Sequence, residues 1–198
     1  MKKIAVLFSN GTEELEALTP VDVLRRAGAD CDIVSICGNY PVGSHNITVK
    51  ADRLVEDVVF DVYDCIVIPG GMPGATKISE NNYAMNGVKK AIKQNKVIAS
   101  ICASPAVVLA SNRLIDGKKA TCYPAESFIQ MMNVADYTGA DVQVDGNLIT
   151  ANGPKSAFKF SLEIINYLDS QDQDCIFDCI LTILDYIIWD IDNDEIEN

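Results

Sequence analysis

The chain has a single histidine and a single tryptophan, and no lysine or arginine anywhere after Ser170. It also lacks an apolar run long enough to cross a bilayer, for which a helix needs about 20 residues. Lys2-Lys3 is followed by only five apolar residues, Ile4 to Phe8, too few for the core of a signal peptide. The seven cysteines, at 31, 37, 65, 102, 122, 175 and 179, are odd in number and have no framework spacing. They read as reduced thiols of a cytoplasmic protein, not as disulfides. Cys175 and Cys179 stand at i, i+4 with no third ligand near them, so no metal is expected there. His45 falls in the polar, turn-rich stretch after Gly38 and reads as a solvent-exposed loop residue.

Charge divides the chain in two. The formal net charge is −12, but the segment from Ser170 holds nine acidic residues and no base, and the rest carries nineteen acids against sixteen bases, a net of −3. Neither part offers the basic surface that nucleic-acid binding requires. Cys175 to Trp189 is apolar apart from a narrow polar stripe, which suits an amphipathic helix. Its acidic flanks make it a poor ligand for an anionic membrane surface, so packing on its own domain or on a partner subunit is the better expectation. We therefore expect an α/β domain over 1–168 and an acidic tail over 169–198, without membrane insertion. At 198 residues with 48% hydrophobic content, the chain is long enough to bury a full core.

What is present is organised around Val97-Ile98-Ala99-Ser100-Ile101-Cys102-Ala103-Ser104-Pro105. An apolar run of this length fits a strand covered on both faces. Ser104 as N-cap and Pro105 at the first helical position would then open a helix through Ala110. A thiol at such a junction sits beside unpaired N–H groups, which favour its thiolate. Cys102 is either a nucleophile or a small core residue, and position alone leaves the two readings even.

Along the chain, Lys3 to Ser9 is a first strand. Thr12 reads as the cap of a helix whose first turn carries Glu13, Glu14 and Glu16 and whose inward face carries Leu15, Leu18, Val21 and Leu24. Glu13 and Glu14 are accounted for by the helix dipole, while Glu16, next to the apolar stripe, can point into the crevice at the strand ends. Pro20 should bend or restart the helix, and Gly28 closes it. Cys31 to Cys37 and Ile47 to Lys50 read as strands, as does Asp64 to Ile68, which ends in Pro69-Gly70-Gly71. Two glycines there let the main chain approach a neighbour and aim N–H donors at it, or simply make a tight turn. Asn82 to Gln94 and Ala125 to Met132 read as helices, Gln143 to Ala151 as a hairpin with Asp145-Gly146 at its tip, and Gly153-Pro154 as the start of a last helix bearing Phe158, Leu162, Ile165 and Leu168. Strands alternating with helices argue for a largely parallel sheet covered on both faces. Glu16, Gly70-Gly71 and Cys102 all follow the carboxyl ends of predicted strands, the edge where open α/β sheets place their sites.

Four segments together resemble the DJ-1/PfpI family: Gly11 to Glu16 with Thr19 to Gly28, Ile68 to Gly71, Ser100 to Pro105, and Asn152 to Pro154. They fall in the expected order over residues 1 to about 168, and the tail is not covered. The resemblance implies a flavodoxin-like sandwich, a homodimer, and a strained cysteine at a nucleophile elbow. It makes Cys102 the reactive thiol, Glu16 the carboxyl group that touches it, and Gly71 and Ala103 the backbone donors of an anion site, with Gly70 and Tyr123 as accessory residues. It implies a cofactor-independent glyoxalase or deglycase acting on methylglyoxal, glyoxal or their early adducts, with no metal. The alternative is a redox-sensing protective protein or chaperone whose cysteine is oxidised to a sulfinate. Two departures from the family pattern narrow this. Ala103 stands where the peptidase branch has a histidine, and Tyr123 where many animal members have one, so peptidase and Cys-His-Glu amidotransferase chemistry are disfavoured.

Overall fold

Three largely apolar strands form the centre of the molecule, and their sequences explain why. In β1 (Lys3–Phe8), β4 (Cys65–Ile68) and β5 (Val97–Ile101) every residue except Lys3 is buried, as expected of strands covered on both faces. Around them lie β2 (Asp30–Ser35), β3 (Arg53–Leu54), β8 (Val142–Asp145) and β9 (Leu148–Ala151) in one sheet of order β3-β2-β1-β4-β5-β9-β8. All neighbours are parallel except β8 and β9, whose antiparallel hairpin turns at Gly146. A small parallel pair, β6 (Lys119–Ala120) with β7 (Asp136–Tyr137), stands apart. This computed structural model describes residues 1–170; the helix expected over Cys175 to Trp189 lies outside the described residues.

Helices cover the sheet in two groups. α1 (Glu14–Arg26) packs on α5 (Ala157–Ser170), and α2 (Gly74–Glu80) packs on α3 (Asn82–Lys93) and on a single π-helical turn, Pro105–Ala110; α4 (Glu126–Met131) also touches that turn. α3 shows the sequence logic plainly. The Asn81 side chain accepts from the Ala84 N–H at 2.9 Å, Ala84, Met85, Val88 and Ala91 face inward, and Lys89, Lys90 and Lys93 face water. α5 buries Phe160, Ile164, Ile165 and Leu168, while Phe158 and Leu162 are only partly covered. The result is a flavodoxin-like α/β sandwich, and among the described residues no helix is long and apolar enough to cross a membrane.

Local expectations are corrected at five places. Thr12 does not cap α1: its Oγ1 accepts from the Ser9 N–H at 2.9 Å and closes the turn one residue earlier, and the cap falls to Glu13, which accepts from the Glu16 N–H at 2.8 Å. Leu15 does not face inward but is 59% exposed, because the first turn of α1 lies over the strand-end crevice and turns Glu16 and Ala17 inward instead. Ile47 to Lys50 forms no strand. Its backbone closes on its own loop, Gly43 N–H to Ile47 O at 2.9 Å and Val49 N–H to Pro41 O at 2.9 Å, leaving only a bridge between Val42 and Thr48. Ser104 stands at the N-cap position of Pro105–Ala110 as expected, but its side chain caps no N–H there. Its backbone is already helical and its hydroxyl donates to Pro69 O at 2.6 Å. Pro20 does not restart α1, which runs on through it to Arg26.

That last hydrogen bond joins the turn after β5 to the turn after β4 and is wholly buried. Ser104→Ala leaves the Pro69 carbonyl without its donor, and a buried unsatisfied acceptor costs about 1–3 kcal/mol. We expect a lower urea midpoint with an unchanged m-value; an unaltered midpoint would show that the strap contributes nothing.

Candidate active site

The strand order reverses between β1 and β4, the place where open α/β sheets leave a crevice at their carboxyl edge. The turn after β1 leads into α1 and delivers Glu16, the turn after β4 delivers Gly70 and Gly71, and the residue after β5 is Cys102. All three come together. Cys102 has φ +63, a left-handed backbone that costs a non-glycine residue on the order of 1–3 kcal/mol. It is held there on both sides, its N–H donating to Ala151 O at 2.9 Å and its carbonyl accepting from Tyr123 N–H at 2.8 Å. The side chain is almost wholly buried, and the groups that act on its thiol are the carboxyl of Glu16 and the backbone N–H groups of Ala103 and Gly71.

Glycine is required beside the thiol for a steric reason. A Cβ on Gly70 would stand 2.6 Å from Glu16 Oε2 and 2.7 Å from Cys102 Cβ, distances no side chain tolerates. Gly71 has φ +83 and lies against the backbone of Gly11 to Glu13. The close approach lets the Gly70 N–H reach Glu16 Oε2 at 2.9 Å.

Glu16 is completely buried. Burial pushes its carboxyl up to about 7, with the negative charge of Glu13 adding to the rise and hydrogen bonds from Cys102 and the Gly70 N–H opposing it. Its Oε1 has no hydrogen-bond partner among the described residues, and a buried bare oxygen favours the protonated form. The thiol is also pushed upward, by burial first and then by Glu16, against the two N–H donors. This corrects the expectation of a thiolate favoured by a helix terminus: the following turn is only Pro105–Ala110. The thiol therefore keeps its proton at neutral pH, while the carboxyl is poised to change state there.

Tyr123 reaches the site through its backbone. Its ring stacks edge-on to Phe128, with centroids 6.4 Å apart, and lies against Gly153; its phenol hydrogen-bonds to neither Cys102 nor Glu16, and the residue is 44% exposed. By sequence Glu14 reads as a dipole-matching acid and His45 as a loop residue, and the structure joins them. Glu14 is buried and accepts from His45 N–H at 2.7 Å and from the Ser44 hydroxyl at 3.1 Å, while His45 Nδ1 lies 2.7 Å from its Oε2. Burial alone would raise Glu14, but the hydrogen bonds from His45 and Ser44 outweigh it and hold the carboxyl at about 2. The same contact raises His45. The one sequence sign was Gly43, where any Cβ would overlap the Glu14 carboxyl group.

The family model for the DJ-1/PfpI family matches residues 2–167. The chain belongs to the DJ-1/PfpI family. It is 35% identical to an Arabidopsis thaliana protein named DJ-1 homolog A over 175 residues, 87% of this chain but 44% of the relative, so it spans less than half of that protein's length. A Pyrococcus abyssi deglycase is 26% identical over 166 residues, covering 84% of this chain and 99% of that protein. Among solved structures, oxidized Toxoplasma gondii DJ-1 superposes with a TM-score of 0.84 at 36% identity, covering 93% of this chain and 98% of that one.

A carboxyl raised from its ordinary 4.5 to about 7 by folding binds a proton in the folded state that the unfolded chain has already released. Stability therefore falls as pH rises from about 4.5 to 7, by on the order of 3 kcal/mol for a shift of that size. Glu16→Gln removes the charge and should be the more stable protein at pH 8 while matching the parent at pH 4.5. Urea melts across this range measure it, and parallel pH dependence in the two proteins would exclude a raised Glu16.

Proposed function

We propose that this protein is a cysteine-dependent, cofactor-independent glyoxalase or deglycase that acts on methylglyoxal, glyoxal or their early adducts and protects against carbonyl stress. The observation that carries the reading is the contact between the strained Cys102 thiol and a buried carboxyl near 7. It is the pairing a reaction needs when it must first take a proton from a thiol and then move one between adjacent carbons. The deglycase name of the Pyrococcus abyssi relative supports the same class.

The steps follow from the two groups. Glu16 as carboxylate takes the thiol proton while Cys102 Sγ bonds to the aldehyde carbon of methylglyoxal, and the proton passes to the former carbonyl oxygen to give a hemithioacetal. Glu16, again a carboxylate, removes the hydrogen from that carbon and returns it to the neighbouring one through an enediol. The product is a thioester of lactate, and water cleaves it to lactate and the free thiol. No electrons enter or leave. A base near 7 matches this double role at neutral pH. Gly71 and Ala103 hold the sulfur in place, and Tyr123, without a histidine at its position, contributes a wall and a backbone donor. The working form in this reading is a cytoplasmic homodimer.

A second reading has one observation in its favour. The backbone N–H groups of Ala103 and Gly71 favour negative charge on the sulfur, which suits a sulfinate, the product of two peroxide oxidations of a thiolate; the structural relative from Toxoplasma gondii is an oxidized form. Here Cys102 senses oxidant with little turnover, and any chaperone role rests on the tail.

Lactate formed from methylglyoxal without glutathione separates the two. We expect turnover by the parent, none by Cys102→Ser, and a kcat lower by about 10²–10⁴ for Glu16→Gln, the range for loss of general acid–base catalysis. No lactate from the parent, together with selective peroxide oxidation of Cys102, would transfer the assignment to the sensor.

A further inference from the structure

The loop from Tyr40 to Lys50 is folded over the start of α1. Gly11 N–H donates to Val42 O at 2.8 Å, Val42 N–H to Asn10 Oδ1 at 2.8 Å, and Ser44 N–H to Thr12 O at 2.8 Å. These bonds bring the chain's one histidine onto two consecutive acids. His45 Nδ1 stands 2.7 Å from Glu14 Oε2 and 3.9 Å from Glu13 Oε1, and the donor atoms of the three residues all lie within 4.8 Å of one another.

From this geometry we infer that Glu13, Glu14 and His45 form a binding site for a divalent transition metal ion of the Zn²⁺ type, separate from the Cys102 thiol. Three features support it. The first is spacing. Zinc bonds of about 2.0–2.2 Å to nitrogen and oxygen put neighbouring donors of a tetrahedral site about 3.3 Å apart, and the observed separations of 2.7 and 3.9 Å bracket that value. The side chain of His45 is 70% exposed, so its ring has room to turn and even them out, and to leave a fourth position to water.

The second is orientation. Each carboxylate is fixed by its other hydrogen bonds: Glu13 through Oε2, which accepts from Glu16 N–H, and Glu14 through the His45 N–H and the Ser44 hydroxyl. Outer hydrogen bonds of this kind aim ligands and hold them for a metal. The third is charge. Both carboxylate side chains are largely buried, at 12% and 5% exposure, and among the described residues neither has a lysine or arginine as ion-pair partner. Even a charged imidazole leaves the cluster net negative, and a divalent ion with neutral imidazole balances it. The imidazole favours zinc, cobalt, nickel or copper over calcium and magnesium, which take oxygen ligands.

The test uses the purified full-length chain and metal alone. Because His45 is the only histidine, its ring C–H resonances report on this site and no other. We expect one equivalent of Zn²⁺ to shift them saturably, and Co²⁺ to give d–d absorption from this site without sulfur-to-metal charge transfer. His45→Asn, at an exposed ring, should abolish this binding in a protein that still unfolds cooperatively in urea. Glu13→Gln, which keeps a capping oxygen, should weaken it at least tenfold. Ring resonances that stay in place with excess Zn²⁺ would overturn the site. So would a Co²⁺ complex that survives His45→Asn, or one whose charge-transfer band vanishes in Cys102→Ser, which would assign the metal to the thiol. None of these readouts depends on turnover, so the site stands or falls apart from the glyoxalase reading.

Discussion

The left-handed backbone of Cys102 is the constraint on which the rest of the site depends. A residue at φ +63 keeps that conformation only if its surroundings fix it. Here the fixing groups come from three directions: Ala151 at the end of β9, Tyr123 from the segment after β6, and the Ser104 hydroxyl reaching across to Pro69. β5 lies between β4 and β9, so a cysteine one residue beyond it is surrounded by chain ends that can supply these bonds. The strain turns the thiol back over Gly70 and Gly71, where N–H groups and the Glu16 carboxyl meet it.

Glu16 shows the cost of that arrangement. An acid with no exposed surface and one bare oxygen lowers stability whenever it ionises, and an amide or apolar side chain would fold more readily. The same burial that penalises the charge brings the carboxyl to about 7, where a proton can be taken up and released at little cost in either direction. Stability and reactivity are set here by one desolvation effect acting in opposite senses. Gly70 completes the pair, since the carboxyl and the thiol occupy the space a side chain at that position would need.

The loop around His45 applies the opposite electrostatics one turn away. Glu14 is as inaccessible as many core residues, yet it stays ionised because hydrogen bonds from His45 and Ser44 replace the water it has lost. Glu14 and Glu16 thus sit two residues apart on one helix, with one held at about 2 and the other raised to about 7. Burial alone does not decide the protonation of an acid; the number of donors that follow it inside does.

The sequence by itself determined the strand cores, the parallel α/β class and the order of the site segments. Runs such as Val97 to Ile101 are largely apolar on both faces and admit few other structures, and Asp145-Gly146 carries its turn chemistry locally. It also pointed to Glu16, Gly70-Gly71 and Cys102, because each follows a strand end. Only the tertiary structure decided what those residues do to one another. Thr12 and Ser104 have the chemistry of helix caps, but the Thr12 hydroxyl is taken by Ser9 N–H within its own turn and the Ser104 hydroxyl by Pro69 O from the turn after β4. Leu15 has the right period for the core, but the crevice beneath the first turn of α1 is lined by Glu16 and Ala17. The link from His45 to Glu14 spans 31 residues and has no local signature beyond Gly43. Local pattern fixes which face is apolar; which polar groups meet across long separations depends on loops whose path is set only when the sheet has assembled.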